Sequence, residues 1–256
     1  MDRPTSQPVI RDRSEYRHAM NDRLEINPER TVALTIDMQW DYLDTERGTS
    51  PVSRPDAERV LSHTEQLLNL IRSARMPVIH VYVVRRAVEV DQGFSLPAYG
   101  KVSQEAGLSQ NAQGLFRTGP SRLEGTRLAD VPDQLIGPND LHVRSKRVMD
   151  AFHDTELDML LSRVFRPETL VLTGINTDTC VYATTFAASC RGYRPVVISD
   201  CVASSRGTDH HWMALELMSR SMAWVLTVDE FRQKIGGLQA AGIPGRAASE
   251  AGSIDK

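Results

Sequence analysis

The stretch LVLTGINTDTCVYATTFAAS, residues 170–189, decides how the chain is read. Leu170 to Thr173 are apolar or β-branched and suit a short buried strand. Gly174 interrupts that run, and Asn176, Thr177, Asp178 and Thr179 are small polar residues that turn a chain and cap a helix. From Val181 to Arg191 the sequence is rich in Ala and free of Pro, so a helix is expected with Cys180 on its first turn. A sulfur there meets unpaired backbone N–H groups and the positive end of the helix dipole, both of which favour a thiolate. The same N–H groups suit an oxyanion. The rival reading of Cys180 is the ordinary one for a free cysteine, a small buried hydrophobe.

Outward from this stretch, strand and helix patterns alternate. TVALTI (Thr31 to Ile36) is apolar throughout, as a parallel strand covered on both faces should be, and Asp37 stands at its end. Pro55 to Ala74 carries Val60, Leu61, Leu67, Leu68 and Ile71 on one helical face, with Ser53 as N-cap. Val78 to Val84 is the second strand and Asp140 to Val143 a short third. Asp154 or Thr155 then opens a helix through Leu157, Leu160 and Leu161. Pro195 to Ile198 is the fifth strand, entered from Gly192, and Asp200 to Asp209 reads as a loop. A helix from His211 to Met222, a sixth strand at Ala223 to Leu226 and a short helix beginning at Phe231 follow. Six strands alternating with helices predict a three-layer α/β/α sandwich with a six-stranded, mostly parallel sheet. The strand order 3-2-1-4-5-6 would align the carboxyl ends of strands one, three and four, where α/β sheets bind ligands, and bring Asp37, Lys146 and Cys180 together.

This domain spans residues 31–235. Residues 1–30 read as a polar arm with a short helix around Arg13 to Leu24, suited to packing on a neighbouring subunit, and residues 236–256 as a Gly/Ala-rich tail. The long connection from Arg85 to Asn139 reads as a lid or subunit-contact region, with a plain surface excursion as the rival.

The chain has 256 residues and a net charge of −3, with both signs scattered. Nothing suggests a nucleic-acid groove, a membrane span or a signal peptide, and a cytoplasmic protein is expected. The three cysteines, Cys180, Cys190 and Cys201, have no framework spacing, and no close His/Cys cluster suggests zinc. No metal and no cofactor is expected; Cys190 and Cys201 read as structural, and His211 as an interior helix residue.

A cysteine nucleophile needs somewhere to send its proton and something to stabilise negative charge. Asp37 suits the first task and Lys146 the second, with the N–H groups of the Asn176 to Cys180 turn for the oxyanion. The chemistry this predicts is acyl transfer to water through a thioester. Histidine is the commoner base for cysteine, and spacing alone leaves His153, His210 and His211 open.

Three separated segments then carry a family likeness: TIDMQWDYL with Asp37, RSKRVMDAFHDTELDMLL with Lys146, Phe152, Thr155 and Leu157, and LTGINTDTCVYATTFAASCRGY with Cys180. In that order they resemble the cysteine-hydrolase branch of the isochorismatase-like superfamily, which includes nicotinamidases, N-carbamoylsarcosine amidase, biuret hydrolase and ureidoacrylate amidohydrolases. The likeness runs from about Thr31 to Phe231 and implies a Rossmann-like sandwich with an Asp37–Lys146–Cys180 site. It also implies a non-proline cis peptide between Ile175 and Asn176, an oxyanion hole from the N–H groups of Asn176 and Cys180, and an oligomer, dimer or tetramer. Isochorismatases that cleave a vinyl ether lack the cysteine, so its presence implies an amidase acting with water on a small linear amide of ureido or carbamoyl type. The Asp-x-His metal motif of nicotinamidases is missing from VYVVRRAVEVDQG, which speaks against both a metal and nicotinamide. Arg85 and Arg86 stand there instead, and a guanidinium from either, Arg85 first, is suited to a substrate carboxylate or carbonyl, with an exposed basic pair at a strand end as the rival reading. Trp40 and Tyr42 are candidate pocket walls, with core packing as their rival role, and the Asn176 side chain is a candidate contact whose rival role is building the turn. The alternatives to this amidase are another small-amide or ester hydrolase using the same three residues, and a non-catalytic oligomeric scaffold.

Overall fold

A computed structural model describes residues 11–92, 98–115, 117 and 121–240, without the side chains of residues 98, 104 and 237–240. Its elements run α1 (Ser14–Asp22), β1 (Thr31–Ile36), α2 (Trp40–Leu43), α3 (Arg54–Ser73), β2 (Val78–Val81), α4 (Ala87–Asp91), α5 (Ala98–Glu105) and β3 (Leu141–Val143). They continue through α6 (Leu157–Met159), β4 (Thr169–Ile175), α7 (Tyr182–Cys190), β5 (Arg194–Ala203), α8 (Thr208–Ser221), β6 (Trp224–Leu226) and α9 (Val228–Ala240). The six strands pair in the order β3-β2-β1-β4-β5-β6, all parallel, so the expected topology holds and the sheet has no antiparallel member.

Both sheet faces are covered, which is why β1 and β4 read as unbroken apolar runs rather than alternating ones. One layer packs Val60, Leu67, Leu68 and Ile71 of α3 and Phe231 and Ile235 of α9 against Ala33, Val171 and Val196. The other packs Val181, Ala188, Ala214, Leu215 and Met218 against Val32, Leu34, Ile36, Leu170, Leu172 and Val197. Each of the Val, Leu, Ile, Phe and Met side chains among them stabilises the fold by about 1.5–3 kcal/mol relative to exposure. Helix starts follow their sequence signals. The Ser53 hydroxyl accepts from the Asp56 N–H at the head of α3, at 3.3 Å. Thr227 and Glu230 exchange side-chain-to-backbone bonds of 2.7 and 3.1 Å at the head of α9, a capping box.

Several boundaries differ from expectation for physical reasons. β4 continues through Gly174 instead of stopping before it. Gly174 has φ 129°, and a Cβ there would lie 1.9 Å from the Ile36 carbonyl oxygen, so glycine is what lets β1 and β4 approach. β5 runs to Ala203, into the segment read as loop, because a bulge lets Leu172 pair with Val197 and Gly174 with Val202. β2 ends at Val81, earlier than read. The capping box starts α9 at Val228 and the helix runs to Ala240, so residues 236–240 are helical; residues 241–256 of the predicted tail lie outside the described residues. Residues 20–26 of the N-terminal arm pack on their own chain: Asn21 donates to the Val225 carbonyl at 2.9 Å, Trp224 to the Met20 carbonyl at 3.1 Å, and Leu24 and Ile26 are buried in the core, while residues 1–10 lie outside the described residues.

Candidate active site

Asp37 is the first residue past β1. Its backbone sits at φ 51°, a left-handed conformation that aspartate tolerates better than most residues. Its N–H donates to the Val81 carbonyl at 2.9 Å, which holds it at the carboxyl edge of the sheet. Lys146 lies three residues past β3 on a segment tied down where the Ala151 N–H donates to the Thr184 hydroxyl of α7, at 3.1 Å. Cys180 follows β4. The structure brings these three together: Lys146 Nζ donates to Asp37 Oδ2 at 2.6 Å and to Cys180 Sγ at 3.4 Å. Asp37 and Lys146 are fully buried and Cys180 is 9 % exposed.

The electrostatics correct one expectation. Cys180 was expected to be a helix-activated thiolate. It instead lies on a π-helical turn, Thr177–Val181, that precedes α7, and its thiol is pushed up to about 11. Burial is the main cause, Asp37 adds to it, and Lys146 opposes both. The dipole of a short turn is outweighed by the loss of water around the sulfur. The resting group is therefore a neutral thiol facing a carboxylate. Burial also works against the Lys146 ammonium, yet the Asp37 carboxylate beside it outweighs burial and holds the amine ionised above its ordinary range. Asp37 Oδ1 is enclosed and accepts no hydrogen bond among the described residues. It is the unfilled acceptor of the trio.

The turn carries the cis peptide between Ile175 and Asn176. The Asn176 side chain builds structure, since its Oδ1 accepts from the Ser205 N–H at 2.8 Å. Asp178 ties down the same following loop, accepting from Ser204 Oγ at 2.7 Å and pairing with Arg206 at 3.2 Å. His211 Nδ1 meets Thr177 Oγ1 at 2.9 Å, and burial, with Arg59 adding, lowers the imidazole to about 4, so it is neutral near pH 7. Of the three histidines left open as bases, His210 faces Asp178 at 3.4 Å and His153 is an exposed neighbour of Asp154.

Tyr42 is buried on α2, and burial raises its phenol to about 12. Its hydroxyl takes a short hydrogen bond from Arg122, whose guanidinium also covers the ring at 4.9 Å. The Trp40 ring is half-buried under the Arg127 guanidinium at 4.7 Å and packs on the core. Arg85 is partly buried and donates to Ser121 Oγ at 2.8 Å. Burial is the main cause lowering its pKa to about 10, and the charge of Arg122 adds to it.

Arg122 was missed in the sequence. Its side chain is 11 % exposed and pairs with Asp41 at 3.4 Å; burial opposes its charge, but the carboxylates of Asp41 and Asp37 hold it ionised. No motif marks it within the 85–139 connection. Only the backbone explains its place: Arg85 donates to the Arg122 carbonyl at 2.9 Å and Glu124 to the Arg85 carbonyl at 2.8 Å, so this segment pairs with the extension of β2. A groove of about 310 Å³ between Val84, Arg86, Arg144 and Arg147 lies beside these strand ends, lined also by Ser145, the residue before Lys146. Among the described residues, no three His, Cys, Asp or Glu side chains form a metal-ligand group, and no helix is long and apolar enough to cross a membrane.

Comparison with known proteins agrees with this architecture. The family model for the isochorismatase domain matches residues 31–230. A probable isochorismatase from Pseudomonas chlororaphis is 25 % identical over 214 residues, covering 80 % of this chain and 86 % of the relative. Among solved structures, a cysteine hydrolase from Pseudomonas syringae pv. phaseolicola superposes with a TM-score of 0.66 at 23 % identity, covering 84 % of this chain and 96 % of that one. An N-carbamoylsarcosine amidase from Thermoplasma acidophilum superposes with a TM-score of 0.57 at 22 % identity, covering 78 % and 97 %.

Proposed function

Because the chain belongs to the isochorismatase family of hydrolases, we propose that it is the cysteine-dependent kind, an amidohydrolase cleaving a C–N bond of a small linear amide, with ureido and carbamoyl compounds favoured. The observation that carries this reading is the contact of Lys146 Nζ with both Asp37 and Cys180, at 2.6 and 3.4 Å, beside a carboxylate oxygen with no hydrogen-bond partner among the described residues. Vinyl-ether cleavage needs no sulfur nucleophile, whereas acyl transfer uses one directly.

In this mechanism Asp37 takes the thiol proton as Cys180 Sγ attacks the amide carbonyl carbon. The carbonyl oxygen becomes an oxyanion received by the N–H groups of Asn176 and Cys180. The C–N bond then breaks, and Asp37 gives the proton to the leaving ammonia or amine. Water, deprotonated by Asp37, attacks the thioester; the acid departs and the proton returns to sulfur. Lys146 stays charged throughout and balances the negative charge as it moves from carboxylate to sulfur to oxygen. A raised thiol pKa suits this scheme, because the proton transfer is made to an adjacent base during attack rather than to bulk water beforehand. The enzyme works in the cytoplasm as a dimer or tetramer, without metal or cofactor, and the domain at residues 31–235 carries the chemistry.

The test is ammonia release from biuret, N-carbamoyl amino acids, ureidoacrylate, maleamate and nicotinamide, with and without a chelator. Release from a ureido compound, insensitive to chelator and lost in Cys180→Ala, is the expected result. Turnover that survives Cys180→Ala would overturn the mechanism, and chelator-sensitive turnover would overturn the metal-free form of it.

A further inference from the structure

The helix that braces the nucleophile turn also has an outward face that the proposed catalysis does not use. α8 buries His211, Ala214, Leu215 and Met218 against its own core. On the opposite side Asp209, Met213, Glu216 and Arg220 fall at i, i+4, i+7 and i+11, which is one stripe of a helix, and Trp212 and Leu217 flank it. Trp212, Met213 and Leu217 are each about half exposed, and so is Phe186 on α7, the neighbouring helix of the same layer. Single exposed apolar residues are ordinary, whereas a group of large ones on one face marks an interaction site.

The stripe is complementary to itself. Its acidic end is Asp209, exposed in the first turn of α8 and in no ion pair among the described residues. Its basic end is Arg220, held by Glu216 at 2.9 Å and by the Tyr16 ring at 5.1 Å. Met213, Trp212 and Leu217 lie between these ends. A second α8 laid antiparallel across the first sets Arg220 of each copy opposite Asp209 of the other and encloses the apolar residues of both. A second α8 laid parallel would set like charges together, which opposes that arrangement. The four exposed apolar side chains present on the order of 400 Å², about half of the roughly 800 Å² per partner that a stable interface buries, and close to the usual apolar share of one.

We propose that this face of α8 joins two copies of the chain about a two-fold axis, with the helices antiparallel. This rests on the oligomer of the proposed function and names the surface that builds it. The contact reaches the catalytic site from behind. His211 Nδ1 of α8 meets Thr177 Oγ1 at 2.9 Å and His210 Nδ1 faces Asp178 at 3.4 Å, so the partner subunit steadies the helix on which the Cys180 turn leans.

The test is the mass of the full chain in solution, followed by sedimentation velocity over a range of concentrations. Leu217→Glu places a carboxylate in the centre of the contact, and should turn a dimer into monomers or a tetramer into dimers, with the dissociation constant raised about tenfold or more. Asp209→Arg and Arg220→Asp should each weaken association severalfold, because each sets like charges across the two-fold axis. The two changes together restore opposite charges between copies and should bring association back toward the wild type. That recovery separates a contact between copies from a loss of Arg220's bonds within its own chain, and it decides even if Leu217→Glu does not fold. A wild-type chain that stays monomeric at tens of micromolar would overturn both this face and the oligomer. An assembly unchanged in Leu217→Glu and in Asp209→Arg would overturn the face and leave the oligomer to another surface. Weakening in both single charge variants without recovery in the double would overturn the antiparallel two-fold. Ammonia release tests the nucleophile separately from all of these.

Discussion

Two buried polar networks both begin at the end of β1, at Thr35 and at Asp37, and among the described residues only the second has an unfilled acceptor. In the first, Thr35 Oγ1 meets His80 Nδ1 at 2.7 Å, His80 Nε2 meets Asp140 at 3.1 Å, and Arg72 and the Gly137 N–H donate to Asp140 at 2.5 and 2.7 Å. A hydroxyl, an imidazole and a carboxylate in line are the residue types of a hydrolytic triad. Yet Thr35 and His80 are fully enclosed, and each member has its partners within the fold. Burial works against the charge of Asp140, but the hydrogen bonds from His80, Arg72 and Gly137 overcome it and hold the carboxyl well below its ordinary range. The second network, Asp37, Lys146 and Cys180, is also buried, but Asp37 Oδ1 accepts no hydrogen bond among the described residues and the thiol retains its proton. A satisfied network stabilises the fold. One with an open acceptor beside a nucleophile can do chemistry, and residue types alone do not separate the two.

The comparison breaks at once if Cys180→Ala keeps turnover. That substitution should reduce hydrolysis by about 10⁴-fold or more, as loss of a nucleophile does, with little change in Tm, as steady-state kinetics and thermal unfolding would report. Asp140→Ala should show the opposite pattern. It strands Arg72 and His80 and should cost about 3–4 kcal/mol of stability in denaturant titration, while kcat per folded molecule stays near wild type.

Acid sharpens the contrast further. His211 is lowered to about 4 in the fold, with Arg59 and Asp56 of α3 and Asp178 of the nucleophile turn facing it. The unfolded imidazole binds its proton first as pH falls below about 6.5, so the stability due to the neutral ring is complete above that value. It is lost as pH falls through the folded value. The loss between about pH 6.5 and 4 should be on the order of 2–3 kcal/mol. It should be nearly absent in His211→Asn, with urea unfolding at stepped pH as the measurement. The smallest effect is expected from Thr35→Val, which removes one hydroxyl from the satisfied network and leaves His80 short of a partner. A loss of about 1 kcal/mol without a change in KM is the expected outcome.

The two networks also differ in how far they could be read ahead of the structure. Asp37, Lys146 and Cys180 stand directly after strands or in the turn following one, so recognising β1, β3 and β4 was enough to place them at one edge. Thr35, His80 and Asp140 gave no such signal, because a polar residue inside an apolar strand looks like an exception until its partner on the next strand is known. Arg122 was harder still. It belongs to a long connection without period or motif, and backbone pairing with Arg85 sets its position. Asn176 was read both as a substrate contact and as a turn builder, and its bond to the Ser205 N–H shows the second role in place.

By itself the sequence determined the order of elements, the parallel sheet and the three residues at its carboxyl edge, because hydrophobic period and strand ends are local properties of the chain. Only the tertiary structure decided that Cys180 rests as a neutral thiol, that Gly174 lies inside a strand, and that Arg122 packs on Tyr42 and Asp41. Desolvation, the approach of two backbones and the sum of charges around a buried group all depend on segments far apart in the chain, and no local pattern encodes them.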